Sequence, residues 1–234
     1  MTMTAPLRRV FCALDTTDLA WAQRMSADLA ATIGGIKLGL EFYGAHGPDG
    51  VRRVAEASQA RIFLDLKLHD IPNTVAGAVK SARRHAVDYL TVHTGGGRAM
   101  LEAAQSEAGP VQLLGVTVLT SLTDGDLAEV GHTSGTDTLV ERRAALAASI
   151  GLPGVVCSPL EVARVASIMG TSACIVTPGI RLDGDALGDQ RRVATPERAL
   201  ADGATMLVIG RPILAAADPI DAARAARERV RGPR

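Results

Sequence analysis

The run Phe63-Leu64-Asp65-Leu66-Lys67-Leu68-His69-Asp70-Ile71-Pro72-Asn73-Thr74 sets charged residues into an otherwise apolar strand-like segment. Residues two apart on a strand face the same side, so Asp65 and Lys67 point together and the intervening leucines point away. The leucines need an apolar layer to pack against, which a covering of helices supplies. Asp70 falls just beyond the strand, and Ile71-Pro72 prevents regular continuation. Charges inside such a strand are costly to bury unless they are paired. A lysine flanked by two carboxylates, with Lys37 on the neighbouring strand as a second cation, offers that pairing. An isolated D-x-K triplet would read as a structural ion pair; the convergence of several charges argues for a site.

Outward from this segment, similar apolar runs recur along the chain. The expected strands are Val10–Asp15, Gly35–Leu40, Arg61–Leu68, Tyr89–Thr94, Gln112–Leu119, Gly154–Ser158, Ala173–Thr177 and Thr205–Gly210. Between them lie helical stretches such as Ala20–Thr32, Thr74–Ala86, Thr138–Ile150 and Pro219–Arg231, with apolar residues recurring at three and four. Thr195-Pro196-Glu197, Ser158-Pro159 and Asp218-Pro219 have the form of helix starts, a capping side chain followed by proline. Strands alternating with helices fit a closed barrel or an open doubly wound sheet. The count of eight and the uniform composition favour a single (β/α)8 barrel, one domain over residues 1–234.

Composition narrows the function. Acidic and basic residues balance at 25 each, so no global field recruits nucleic acid or an anionic membrane. Aromatics at 3% are too few for a base-stacking platform. No uninterrupted apolar run is long enough for a membrane span, and Met1 to Arg9 lacks the apolar region of a secretory signal. Cys12, Cys157 and Cys174 lie far apart in apolar segments, giving neither a zinc pattern nor a disulfide framework. A cytoplasmic location is therefore expected, with the cysteines as small buried residues. The histidines form no metal pattern, and Gly95-Gly96-Gly97 reads as a tight turn.

In a (β/α)8 barrel the site lies at the C-terminal strand ends. Polar residues collect there: Asp15 ends strand 1, Lys37 lies in strand 2, Asp65 and Lys67 lie in strand 3, and His93, in a supporting position, ends strand 4. Thr120 and Ser121 follow strand 5, Pro178 to Arg181 follow strand 7, and Gly210-Arg211-Pro212 ends strand 8. The last segment reads as an anion grip, where glycine lets main-chain N–H groups approach and arginine binds bidentately. Arg181 and Gln190 bracket a Gly- and Asp-rich loop, Leu182–Asp189, a candidate lid that closes when phosphate engages Gln190 and Arg211.

Along essentially its whole length, the sequence resembles the orotidine 5′-monophosphate (OMP) decarboxylase family. The resemblance is carried by Ala13-Leu14-Asp15, Lys37-Leu38-Gly39, the Asp65–Thr74 run, Val116 to Ser121, Thr177-Pro178-Gly179-Ile180-Arg181, Asp189-Gln190-Arg191-Arg192 and Val208 to Pro212. It implies a cofactor-free decarboxylase that makes UMP, in which Lys67 protonates C6 as carbon dioxide leaves. Asp65 would then lie near the substrate carboxylate, with Lys37 and Asp70 completing an alternating charge array. Asp15 and Lys37 would contact the ribose hydroxyls, and Thr120 and Ser121 the pyrimidine edge. Pro178, Arg181, Gln190, Gly210 and Arg211 complete the substrate-binding set. Asp70, Ile71 and Thr74 would reach into a partner subunit's site, implying a homodimer.

Two rivals remain at this stage. A metal-dependent phosphosugar decarboxylase or aldolase of the same superfamily needs an extra acid near the strand 2 end, for which Glu41 is the obvious candidate. A non-catalytic phosphate sensor would carry a broken array, whereas Asp65, Lys67 and Asp70 are all intact.

Overall fold

The computed structural model describes residues 9–181 and 193–230. Eight parallel strands close into a barrel, with β1 paired to both β2 and β8. They are β1 Val10–Leu14, β2 Gly35–Leu38, β3 Arg61–Leu68, β4 Tyr89–His93, β5 Gln112–Val116, β6 Gly154–Val156, β7 Cys174–Thr177 and β8 Met206–Ile209. The helices that cover the outside are α1 Leu19–Leu29, α2 Leu40–Ser58, α3 Pro72–Ala82, α4 Gly97–Glu107, α5 Asp124–Glu129, α6 Thr136–Ile150, α7 Val162–Met169, α8 Pro196–Ala201, α9 Arg211–Leu214 and α10 Pro219–Arg229. The barrel takes precedence over the open sheet because the first and last strands pair directly.

Alternation along the strands divides the core in two. Outward residues such as Cys12, Leu14, Ile36, Leu38, Ile62, Leu64, Leu90 and Ile209 join the helices in one large cluster. Inward residues Phe11, Ala13, Phe63, Leu114, Val176, Met206 and Val208 form a smaller one inside the barrel. Trp21 and Met25 on α1 pack against the outer cluster, as their four-residue spacing leads one to expect. The expected helix starts are realised at Thr195, whose hydroxyl accepts the Arg198 N–H, and at Asp218, whose carboxylate accepts from Ile220 and Asp221. Ser158-Pro159 opens a short 3-10 turn leading into α7.

Most strands end one to three residues before the expected limit. Gln112–Leu119 is the largest case: Thr117 and Val118 remain buried although the ladder stops at Val116. Burial therefore continues past the last paired residue of the strand. Leu40 belongs to a helix rather than to β2, because Gly39 already caps α2. The last helix is partly covered. Arg227 and Arg229 are half-buried, and Arg229 pairs with Glu197 on α8.

The consequential departure lies in β3. Its limits match the expectation, but it is not a regular strand: the pairing with β4 slips between Leu64 and Leu68, and Lys67 has φ 49°. A left-handed conformation is strained for a residue with a Cβ, by about 1–2 kcal/mol. Such strain persists only where surrounding contacts enforce it.

Candidate active site

Inward parity carries Asp15, just after β1, Lys37 of β2, and Asp65 and Lys67 of β3 to the C-terminal mouth. Lys37 Nζ lies 3.2 Å from Asp15 Oδ1 and 3.7 Å from Asp65 Oδ2. Lys67 Nζ donates to both oxygens of Asp65 at 2.9 Å. The result is a continuous row, Asp15–Lys37–Asp65–Lys67, with the sign of charge alternating at each step. Gly39 keeps room beside it: a Cβ there would stand 3.2 Å from both Asp15 Oδ1 and Lys37 Nζ.

Burial orders the row. The Lys37 and Asp65 side chains are 11% and 14% exposed, whereas Lys67 is 33% exposed at the open end. Burial alone would raise the Asp65 pKa. The ammonium groups of Lys37 and Lys67, with hydrogen bonds from Lys67 and Thr91, outweigh it and hold the carboxyl below its ordinary value. Asp65 is thus a fixed anion, and Lys67 rests against it with one side open to the cavity.

That cavity, about 510 Å³, unites most of the expected residues: Asp15, Lys37, Asp65, Lys67, Thr120, Pro178, Arg181, Gly210 and Arg211. Val156, Val176 and Val208 line the same space, so the charged row faces an apolar wall. Gly210 lies close under β1, where a Cβ would approach that of Ala13 to 3.3 Å. The two flanks of the loop after β7 are held together, with the Arg181 N–H donating to the Ala194 carbonyl at 3.0 Å. Gln190 and the lid segment Leu182–Asp189 lie outside the described residues.

Several expected residues are not brought into this cavity. Within the chain Asp70 does not flank Lys67: it is exposed, and its carboxylate accepts the main-chain N–H of Ile71 at 2.6 Å. Rotation beyond the end of the strand turns it away. Ile71 is 67% exposed, Thr74 is exposed on the first turn of α3, and Ser121 is exposed beyond Thr120. All four are exposed and none lines the cavity.

Neither the valine wall nor Thr91 was among the residues expected from the sequence. Strand alternation could have supplied the valines, since each occupies an inward position near a strand end. His93 ends β4 beside the cavity mouth. Its Nδ1 accepts the Gly95 N–H at 3.2 Å, and its ring stacks on His69 with centroids 5.2 Å apart. Burial, followed by the positive neighbours Arg143, His69 and Lys67, lowers its pKa from 6.5 to about 4.

A closed parallel barrel whose mouth opens on a cavity lined by paired lysines and carboxylates is the frame of a (β/α)8-barrel enzyme. The sequence profile of the family described as Orotidine 5'-phosphate decarboxylase / HUMPS matches residues 8–226, and the chain belongs to that family. An orotidine 5'-phosphate decarboxylase of Rhodospirillum rubrum is 49% identical over 224 residues, covering 92% of this chain and 91% of that protein. One from Thermobifida fusca is 47% identical over 223 residues, covering 95% and 94%. Among solved structures, the Lactobacillus acidophilus orotidine 5'-phosphate decarboxylase superposes with a TM-score of 0.83 at 34% identity, covering 95% of this chain and 99% of that one.

Proposed function

We propose that this chain decarboxylates OMP to UMP and carbon dioxide, the last step of de novo pyrimidine biosynthesis. The observation that carries the reading is the Lys67 ammonium, paired to Asp65 on one side and open to a valine-lined cavity on the other. The substrate carboxylate enters beside Asp65. The bond from C6 to the carboxylate carbon breaks, carbon dioxide departs, and the electron pair remains on C6. Lys67 stabilises that developing charge at close range and then donates an Nζ proton to C6, completing UMP. Solvent reprotonates the lysine. The valine wall limits water around the nascent carbanion and strengthens the electrostatic interaction.

Asp15 and Lys37 bind the ribose hydroxyls, Thr120 and Ser121 the pyrimidine, and Pro178 lines its cavity. Gly210 and Arg211 hold the phosphate, together with Arg181 and Gln190. Phosphate binding, remote from C6, lowers the barrier by fixing the ring against Lys67. The functional unit is a homodimer of single-domain barrels. The exposed rim of Asp70, Ile71 and Thr74 reaches the partner's site, where Asp70 supplies the acid that extends the alternating row past Lys67. The free thiols Cys12, Cys157 and Cys174 suit a reducing cytoplasm, and no described helix is long and apolar enough to cross a membrane.

The phosphosugar reading is weaker. It requires a metal-binding acid near β2, whereas Glu41 is exposed on the first turn of α2 and is not among the residues lining the cavity.

The deciding experiment follows absorbance when purified protein meets OMP in EDTA, with orotidine and a 3-keto sugar phosphate in parallel. OMP is consumed, orotidine far more slowly and the sugar phosphate not at all; an inert OMP sample ends the proposal. Sedimentation gives about twice the chain mass of 24.3 kDa. A monomer that is fully active would remove the shared site.

A further inference from the structure

Thr91 is fully buried at an inward position of β4, beneath the charged row. Its hydroxyl accepts the main-chain N–H of Lys67 at 2.8 Å and donates to Asp65 Oδ1 at 2.9 Å. These two contacts join the backbone of one charged residue to the carboxylate of another.

The need for this contact comes from the backbone. In a regular parallel ladder a strand N–H donates to a main-chain carbonyl of its neighbour. At Lys67 the register with β4 has slipped and the residue is left-handed, so that donation is replaced. A buried N–H without an acceptor is costly. The Thr91 oxygen takes the place of the carbonyl and satisfies it. A hydroxyl has one proton and free lone pairs. Giving the proton to Asp65 leaves a lone pair for Lys67, so both contacts form with fixed polarity.

We propose that Thr91 is a positioning residue for proton delivery. Its hydroxyl holds Lys67 in the left-handed conformation and fixes the Asp65 carboxylate that receives the Lys67 ammonium. The hydroxyl acts through these two groups and takes no proton from the substrate. This inference rests on the decarboxylase reading above. A displacement of about 1 Å in a reacting group can slow a reaction about 10²-fold, so a hydroxyl that sets both ends of the pair controls turnover without contacting ligand.

The test is Thr91→Val, which keeps the branched shape and removes both hydrogen bonds, beside Thr91→Ser, which keeps the hydroxyl. With OMP, the valine variant loses about 10²-fold in kcat, while KM changes by less than about threefold. The serine variant returns to within about fivefold of the parent. Asp65 loses a donor to its charged form in the valine variant, so the acid limb of kcat/KM moves to higher pH. A packing role alone would leave that limb in place and would not distinguish valine from serine by the presence of oxygen. A valine variant with parental kcat, equal losses in valine and serine, or an unmoved acid limb each overturns the proposal. If circular dichroism finds the valine variant unfolded, Thr91→Ala is put through the same comparison with serine. Parent protein that fails to consume OMP defeats the decarboxylase reading. Active parent protein with an unaffected valine variant defeats only the role of Thr91.

Discussion

The interior of this barrel holds cations at both ends, and the two ends treat them differently. At the base, Arg61 lies over the rings of Phe11 and Tyr89, 5.1 and 5.4 Å from their centroids, and donates to the Tyr89 hydroxyl at 2.6 Å. Phe11, Phe63 and Tyr89 meet edge to face around it, with centroids 5.6–6.3 Å apart. A planar guanidinium suits such a stack, and the contacts plug the barrel. At the mouth, compact ammonium groups alternate with carboxylates, and Lys67 remains one-third exposed beside an apolar wall. Ring faces and a phenol make the lower cation part of the packing. Carboxylate on one side and open cavity on the other leave the upper one able to act.

Substitution at each end should therefore separate activity from stability. The largest effect is expected at the mouth. On the proposed mechanism Lys67→Ala removes both the charge that meets the carbanion and the proton that quenches it, so kcat is expected to fall by about 10⁴-fold or more while UMP binding survives. Single-turnover kinetics and UMP titration measure the two quantities; near-parental turnover would abolish the assigned role. At the base, Phe11→Ala empties a fully buried ring site and lowers unfolding stability by about 3–5 kcal/mol. Its kcat/KM for OMP stays within about tenfold of the parent, because the reacting groups are untouched. Urea denaturation beside the same kinetic assay checks this. A loss of activity much larger than the stability change would dissolve the distinction between plug and site.

The division between the ends was only partly legible in the sequence. Inward parity identified Asp65 and Lys67 together, and the strand-end rule brought Asp15, Lys37, Thr120 and Arg211 to one cavity. Both signals are local. The left-handed Lys67 was not legible, because it arises from the register between β3 and β4 and lysine has no preference for that conformation. Thr91 reads as an ordinary β-branched strand residue until its two partners are known. Asp70 lies past the strand end, where alternation no longer fixes direction, and its carboxylate turns to the N–H of Ile71. At the base, nothing in the spacing of Phe11, Arg61 and Tyr89 declared a stack; barrel closure brings them together.

The smallest effect expected concerns how the mouth responds to acid. His93 is neutral in the folded protein down to about pH 4, against an ordinary value of 6.5. Between those values the unfolded chain binds more protons at this residue than the folded one, so acidification favours unfolding. Its contribution to stability is complete above 6.5 and is lost as pH falls toward 4. Asp65 has a lowered pKa as well, so its contribution is lost mainly as pH falls through and below the ordinary value of 3.8, beneath most of the His93 window. His93→Asn keeps a polar side chain that cannot charge. Its urea midpoint should change less than the parent's between about pH 7 and pH 4.5, while the steeper loss at lower pH remains. Parallel curves for the two proteins over the upper window would mean that burial and the neighbouring Arg143, His69 and Lys67 do not keep this imidazole neutral.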